Sequence, residues 1–193
     1  MSKKIFSAGL VVKSMRDNGF KDAAHAVAEL IDNSIQWGLT VRDSVEVELI
    51  CIEEETLVGN KKSRKINQIA VYDNGCGMDK ERLEEALAFA QGANKEKTDG
   101  LGKFGMGLPN SSISQCRRVD VYSWQNGKIL TTFLDIDEIE DGMEEVPEPK
   151  EIKELPKEWQ KRIKSKILES GTLVVWSDLD KLRWKRSKTF FNN

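Results

Sequence analysis

Gly100-Leu101-Gly102-Lys103-Phe104-Gly105-Met106-Gly107 puts four glycines into eight residues, the composition of a backbone loop that wraps an anion. Glycine tolerates positive φ and lets other groups approach the main chain closely. A helix read over 108–115 would point its unpaired N–H groups back at that loop. Familiar loops with similar glycines fail on the flanks. A dinucleotide-binding loop follows a buried strand directly, but the polar run Asn94-Lys-Glu-Lys-Thr-Asp99 precedes this one. A Walker loop needs Gly-Lys-Ser/Thr, but Gly107 runs into Leu108-Pro109. The downstream catalytic and metal motifs of a protein kinase do not appear. A phosphate cradle remains, with a plain structural turn as its rival.

Two upstream stretches give the loop its meaning. In Glu29-Leu-Ile-Asp-Asn-Ser34, Glu29 and Asn33 are four apart and project from one helix face. Asn offers a hard neutral oxygen to magnesium, an ion that keeps several waters and takes phosphate oxygens, and Glu can activate an attacking water. Asp73-Asn-Gly-Cys-Gly-Met78 follows a strand read over 66–72. It resembles the start of a calcium loop, but the glycines at positions three and five supply no side-chain oxygen, and Met78 occupies the glycine position. A carboxylate at a strand end, beside Gly75 and Gly77, can instead meet a flat ring edge-on. It accepts the exocyclic amine of adenine and repels the carbonyl of guanine. Together the three stretches predict an ATP site. The blander readings are a solvated Glu/Asn pair and a turn at Asp-Asn-Gly.

The rest of the chain bounds the answer. Its 193 residues, 39% hydrophobic and 32% charged, fit one globular α/β domain. A net charge of -2 gives no field that would gather nucleic acid or anionic lipid. Apolar runs such as Leu173-Val-Val-Trp176 fall far short of the roughly 20 residues of a membrane span. The start, Met1-Ser-Lys-Lys-Ile-Phe, has no signal-peptide core. Cys51, Cys76 and Cys116 are odd in number and widely spaced, which argues against a disulfide framework or zinc site. A cytoplasmic setting without membrane contact is expected.

Periodicity predicts a helix over 21–37 with Val27, Leu30, Ile31 and Ile35 inward. It predicts strands over 45–52 and 66–72, joined by a polar hairpin or loop. A helix over 79–90 leads to a polar loop, and strands over 119–124 and 128–136 flank the turn Gln125-Asn-Gly127. Residues 135–157, acidic and containing Pro147, Pro149 and Pro156, read as a solvated insertion. A helix over 159–168 and a strand over 171–177 close the series. The sole histidine, His25, reads as a surface residue. Residues 178–193 mix basic residues with Trp184, Phe190 and Phe191 and are expected to begin a linker toward a further domain.

With these motifs in order, the chain resembles the GHKL superfamily of gyrase, the ninety-kilodalton heat-shock chaperone, histidine kinases and MutL. Within it, the motifs are nearest in character to MORC-type and chaperone-type ATPases. Glu29 to Ser34 resembles its N-box and Asp73 to Met78 its second box. Gly102 to Gly107 resembles the chaperone-type glycine box, and Gly171-Thr172 the closing Gly-Thr. The resemblance implies a two-layer α/β (α+β) sandwich, the Bergerat fold, with a mixed β-sheet and helices on one face, over residues 1–177. It implies Glu29 as general base, Asn33 as magnesium ligand and Asp73 as reader of the adenine amine. Gly75, Gly77 and Met78 would line the base, and Thr172 would support it through water. Gly100, Leu101, Gly102, Lys103, Phe104, Gly105, Met106 and Gly107 would hold the phosphates, beneath an ATP lid at about 91–101. Lys95, Lys97 and Lys103 are rival phosphate contacts, and the choice stays open.

The implied activity is magnesium-dependent ATP hydrolysis driving a conformational or dimerisation switch, with an ATP-dependent homodimer in the full-length protein. A protein or DNA partner is unassigned. Hydrolytic relatives usually take a phosphate-sensing lysine from a following domain, so turnover by these residues alone is expected to be weak. Histidine-kinase-type phosphotransfer and a binding-only nucleotide module are the alternatives.

Overall fold

The structure, a computed structural model, describes residues 8–20, 22–59, 61–89 and 107–182. The loop from Gly100 to Met106, the lid at 91–101 with Lys95 and Lys97, Lys103, and residues 183–193 lie outside that description.

Helix α1 (Ala8–Asn18) precedes α2 (Ala23–Gly38). The Asp22 carboxylate starts α2 by accepting the His25 amide at 3.0 Å, an N-cap that satisfies an otherwise orphaned donor. His25 itself is exposed. The helix ends at Gly38, where a Cβ would sit 2.3 Å from Val45 Cγ2, so Val45 packs against a position that has no room for a side chain. Strands β1 (Val47–Val58) and β2 (Lys61–Asp73) follow, then α3 (Lys80–Leu87), capped by Asp79 on the Arg82 amide. After the glycine-rich stretch come α4 (Gly107–Ile113), β3 (Arg118–Gln125), β4 (Lys128–Asp135), α5 (Ile136–Glu140), β5 (Lys150–Ile152), α6 (Lys157–Gln160) and β6 (Gly171–Ser177).

Among the described residues the strands form one open sheet in the order β1-β2-β6-β3-β4-β5. The α/β layering is as expected, but every pairing is antiparallel rather than mixed. Tight hairpins explain much of this: β1 reaches β2 through Gly59, and β3 reaches β4 through Asn126 and Gly127, both at positive φ. Such a two-residue turn joins antiparallel neighbours only. The last strand, β6, then slides between β2 and β3, antiparallel to both.

Alternation along β2 and β6 divides the core. Ile69, Val71, Val174 and Trp176 face α1 to α5, while Ala70, Tyr72, Leu173 and Val175 face away. Helices are therefore not confined to one face. The far side must also be covered, and Leu155, Trp159 of α6 and Ile163 cover it. Burying each such large apolar side chain contributes about 1.5–3 kcal/mol. The segment 135–157, which reads as solvated, supplies α5 and β5 and buries Ile136, Ile139 and Leu155.

Of the two readings of the polar stretch 53–65, hairpin or loop, the structure has the hairpin: β1 and β2 continue as a two-stranded ribbon past a register shift at Ile52/Glu53 and turn at Gly59. The ribbon's charges are cross-strand partners, such as Lys62 with Glu55 at 3.2 Å. Two other expectations change. The helix expected over 159–168 stops after one turn, because the Lys164 and Ser165 amides bond the Glu48 carboxylate instead of helical carbonyls. Ile35, expected inward, is 40% exposed, and Ala23 and Ala26 take the buried positions of α2.

Helix α1, which periodicity did not reveal, fixes α4. The buried Arg16 guanidinium donates to the Ile113 and Cys116 carbonyls at 2.8 and 2.6 Å and pairs with Asp180. The Trp176 indole donates to Ser112 Oγ at 2.8 Å and fastens α4 to the centre of the sheet.

Candidate functional site

Asp73 is the last residue of β2 and lies opposite Thr172 in the β2–β6 ladder. Only 7% of it is exposed. The Gly75 amide donates to Oδ1 at 2.9 Å and the Ser34 hydroxyl to Oδ2 at 2.8 Å. Burial pushes the carboxyl pKa up, and the Gly75 amide, the Ser34 hydroxyl and the Thr172 backbone N–H pull it back down. A carboxylate has about four lone-pair directions, so Asp73 keeps acceptor capacity beyond these bonds.

The loop after Asp73 admits no side chains at its glycines. Gly77 has φ +64°, and a Cβ there would stand 2.1 Å from the Trp124 carbonyl oxygen. A Cβ on Gly75 would meet Asp73 Oδ1 at 2.9 Å and Gly38 Cα at 3.2 Å. From the neighbouring strand, a Cβ on Gly171 would lie 2.4 Å from the Asp73 carbonyl oxygen. The loop is also tied to β3: the Met78 amide donates to Ser123 Oγ at 2.8 Å, and the Gln125 amide group donates to the Cys76 carbonyl at 3.0 Å. Ser123 Oγ reaches on to Thr172 Oγ1 at 3.1 Å. Asp73, Gly75, Gly77, Met78 and Thr172, far apart in sequence, thus meet at one end of the sheet.

The second centre lies at the start of α4. A Cβ on Gly107 would come 2.1 Å from Glu29 Oε1 and 3.3 Å from Asn33 Nδ2. Both side chains, four apart on α2, therefore converge on the end of the glycine-rich stretch. They are half-buried rather than solvated. Helix α2 serves both centres, with Glu29 and Asn33 against Gly107 and Ser34 against Asp73.

Ser34 and Ser123 are the residues that motif reading passed over. Ser34 follows Asn33 by one position, about 100° round the helix, which turns it from α4 toward the sheet. Ser123 sits on the face of β3 that also carries the buried Val119 and Val121. A lone hydroxyl on an apolar face is a readable signal, since a buried hydroxyl needs partners.

A cleft of about 520 Å³ opens elsewhere, between β3, β4, β5 and the stretch 147–157, and none of the motif residues line it. Its Arg118 pairs with Asp120 and Asp135 and stacks on Phe133 at 4.1 Å, so that charge is already matched within the protein. Among the described residues no helix is long and apolar enough to cross a membrane.

Against known proteins, the sequence model of the family described as histidine kinase-, DNA gyrase B-, and HSP90-like ATPase matches residues 21–166. Protein MICRORCHIDIA 7 of Arabidopsis thaliana is 28% identical over 108 residues, which are 56% of this chain and 14% of that protein. The chain thus spans only a small part of this relative's length. Among solved structures, the B-subunit of the DNA gyrase from Myxococcus xanthus aligns with a TM-score of 0.49 at 14% identity, over 85% of this chain and 40% of that one.

Proposed function

The chain belongs to the histidine kinase-, DNA gyrase B-, and HSP90-like ATPase family, and from that premise we propose that it binds ATP with magnesium and hydrolyses it. Asp73 accepts the adenine amine, and Gly75, Gly77, Met78 and Thr172 form the walls of the base site. Glu29 is the general base for the attacking water, and Asn33 holds magnesium while the stretch Gly100 to Gly107 receives the phosphates. Among the described residues no three His, Cys, Asp or Glu side chains gather as a metal site. A magnesium ion here would take oxygens from Asn33, the phosphates and water. Once bound, it would neutralise the polyphosphate charge.

Gly107 is the observation that carries this reading. The Glu29 and Asn33 side-chain ends lie so close to the start of α4 that a Cβ on Gly107 would displace the Glu29 carboxylate, so backbone stands where a phosphate would need both groups nearby. In a longer protein the same site would act as a nucleotide-driven conformational or dimerisation switch. Phosphate release from magnesium-ATP by wild-type protein and Glu29→Gln tests the proposal. Turnover in the wild type, lost in the variant while ATP binding persists, supports it, and equal turnover removes Glu29 from the mechanism.

A further inference from the structure

Gly75 uses both of its backbone polar groups. Its amide holds Asp73 Oδ1, and its carbonyl accepts the Ser170 hydroxyl at 2.7 Å. Ser170 Oγ accepts in turn from Arg42 Nη2 at 2.9 Å. The three residues come from separate places: the loop after β2, the residue before β6 and the loop after α2. Arg42 Nε is buried without a hydrogen-bond partner, a cost that other contacts of the side chain must offset. The stretch 161–170 that delivers Ser170 is held along its length. Glu48 takes the Lys164 and Ser165 amides, the Tyr72 hydroxyl donates to the Lys166 carbonyl at 3.2 Å, and the Trp124 indole donates to the Leu168 carbonyl at 3.0 Å.

We infer that Ser170 and Arg42 are positioning residues for base selection, an inference that rests on the proposed role of Asp73. They fasten the Gly75–Cys76 peptide, which fixes Gly75 in the loop, and the preceding Asn74–Gly75 peptide then presents its N–H to the Asp73 carboxylate in one orientation. A carboxylate so fixed cannot rotate away from a guanine carbonyl, so the lock penalises the wrong base as well as favouring the right one. Neither residue touches the nucleotide in this account.

Calorimetric titration of magnesium-ATP and magnesium-GTP into wild type, Ser170→Ala, Ser170→Thr, Arg42→Met and Asp73→Asn tests this, alongside thermal melts. Losing one hydrogen bond in the chain should weaken ATP binding roughly threefold to tenfold, with GTP affinity unchanged or raised. The ATP/GTP preference then narrows in Ser170→Ala and Arg42→Met, and Ser170→Thr, which keeps the hydroxyl, retains the wild-type ratio. A merely structural role would weaken both nucleotides in proportion, and that result, or an unchanged ratio in Ser170→Ala, overturns the inference. If Asp73→Asn loses ATP while the Ser170→Ala ratio is intact, only this inference falls. If wild type binds neither nucleotide, the proposed function falls and takes the inference with it.

Discussion

The two centres are built in different ways. Around Asp73, backbone amides, hydroxyls and three close-packed glycines are anchored to strands β2, β3 and β6. Around Gly107, the described contacts are two side chains of α2 meeting the first residue of α4. A site bound into a sheet is preorganised. A side-chain pair set by how two helices pack is more adjustable, and Arg16 and Trp176 fix α4 at its far end from Gly107. Under the proposed function, recognition falls to the sheet and chemistry to the helix pair.

Substitutions at the helix pair should then strike turnover and spare binding. Glu29→Gln should lower the phosphate-release rate by about 10²–10⁴-fold, the usual contribution of a general base, with ATP affinity within a few-fold of wild type by calorimetry. Gly107→Ala is the next largest. Its methyl group can be accommodated by moving the flexible end of Glu29, so the melting temperature should hold. Displacing that carboxylate by about 1 Å should still cost roughly 100-fold in rate.

Acid should strike the sheet end instead. With the adenine amine donating to ionised Asp73, as proposed, ATP binding should favour the deprotonated form, and affinity should fall as pH drops. Because burial holds this carboxyl above the ordinary range, the fall should begin at higher pH than for an exposed aspartate. It should approach about tenfold per pH unit below the pKa, as followed by calorimetry across pH. Stability runs the other way. A folded-state pKa above the unfolded value favours folding below the unfolded pKa, and that gain is lost as pH rises through the folded pKa. Asp73→Asn should therefore melt no lower than wild type at neutral pH. At the small end, Glu55→Gln in the exposed ribbon, remote in the sheet from both centres, should change stability by no more than about 0.5 kcal/mol and leave ATP binding untouched.

The parts of this layout that were legible in sequence are those with local causes. Strand β6 is apolar at consecutive positions because it is buried on both faces. The Asn126-Gly127 turn is written in residues that tolerate positive φ. The motif residues are short strings that can be picked out within a few positions of sequence. The illegible parts are decided by tertiary contacts. Glu48 unwinds the stretch after α6 by capturing its amides, and the backbone ladder continued from β1 and β2 carries the charged stretch after Ile52 as strand. The apolar positions of α2 include Ile35, yet α2 buries small alanines in its place. Ser34 lay inside a recognised motif, but its role became visible only when β2 brought Asp73 beside it.

One buried carboxylate, Asp73, is proposed to select the base. Isothermal titration of magnesium-ATP into wild type and Asp73→Asn at neutral pH addresses it directly. Removing a hydrogen bond to a charged acceptor should weaken binding by about 10–100-fold while the variant melts at or above the wild-type temperature. Equal ATP affinity in the two proteins would contradict the account.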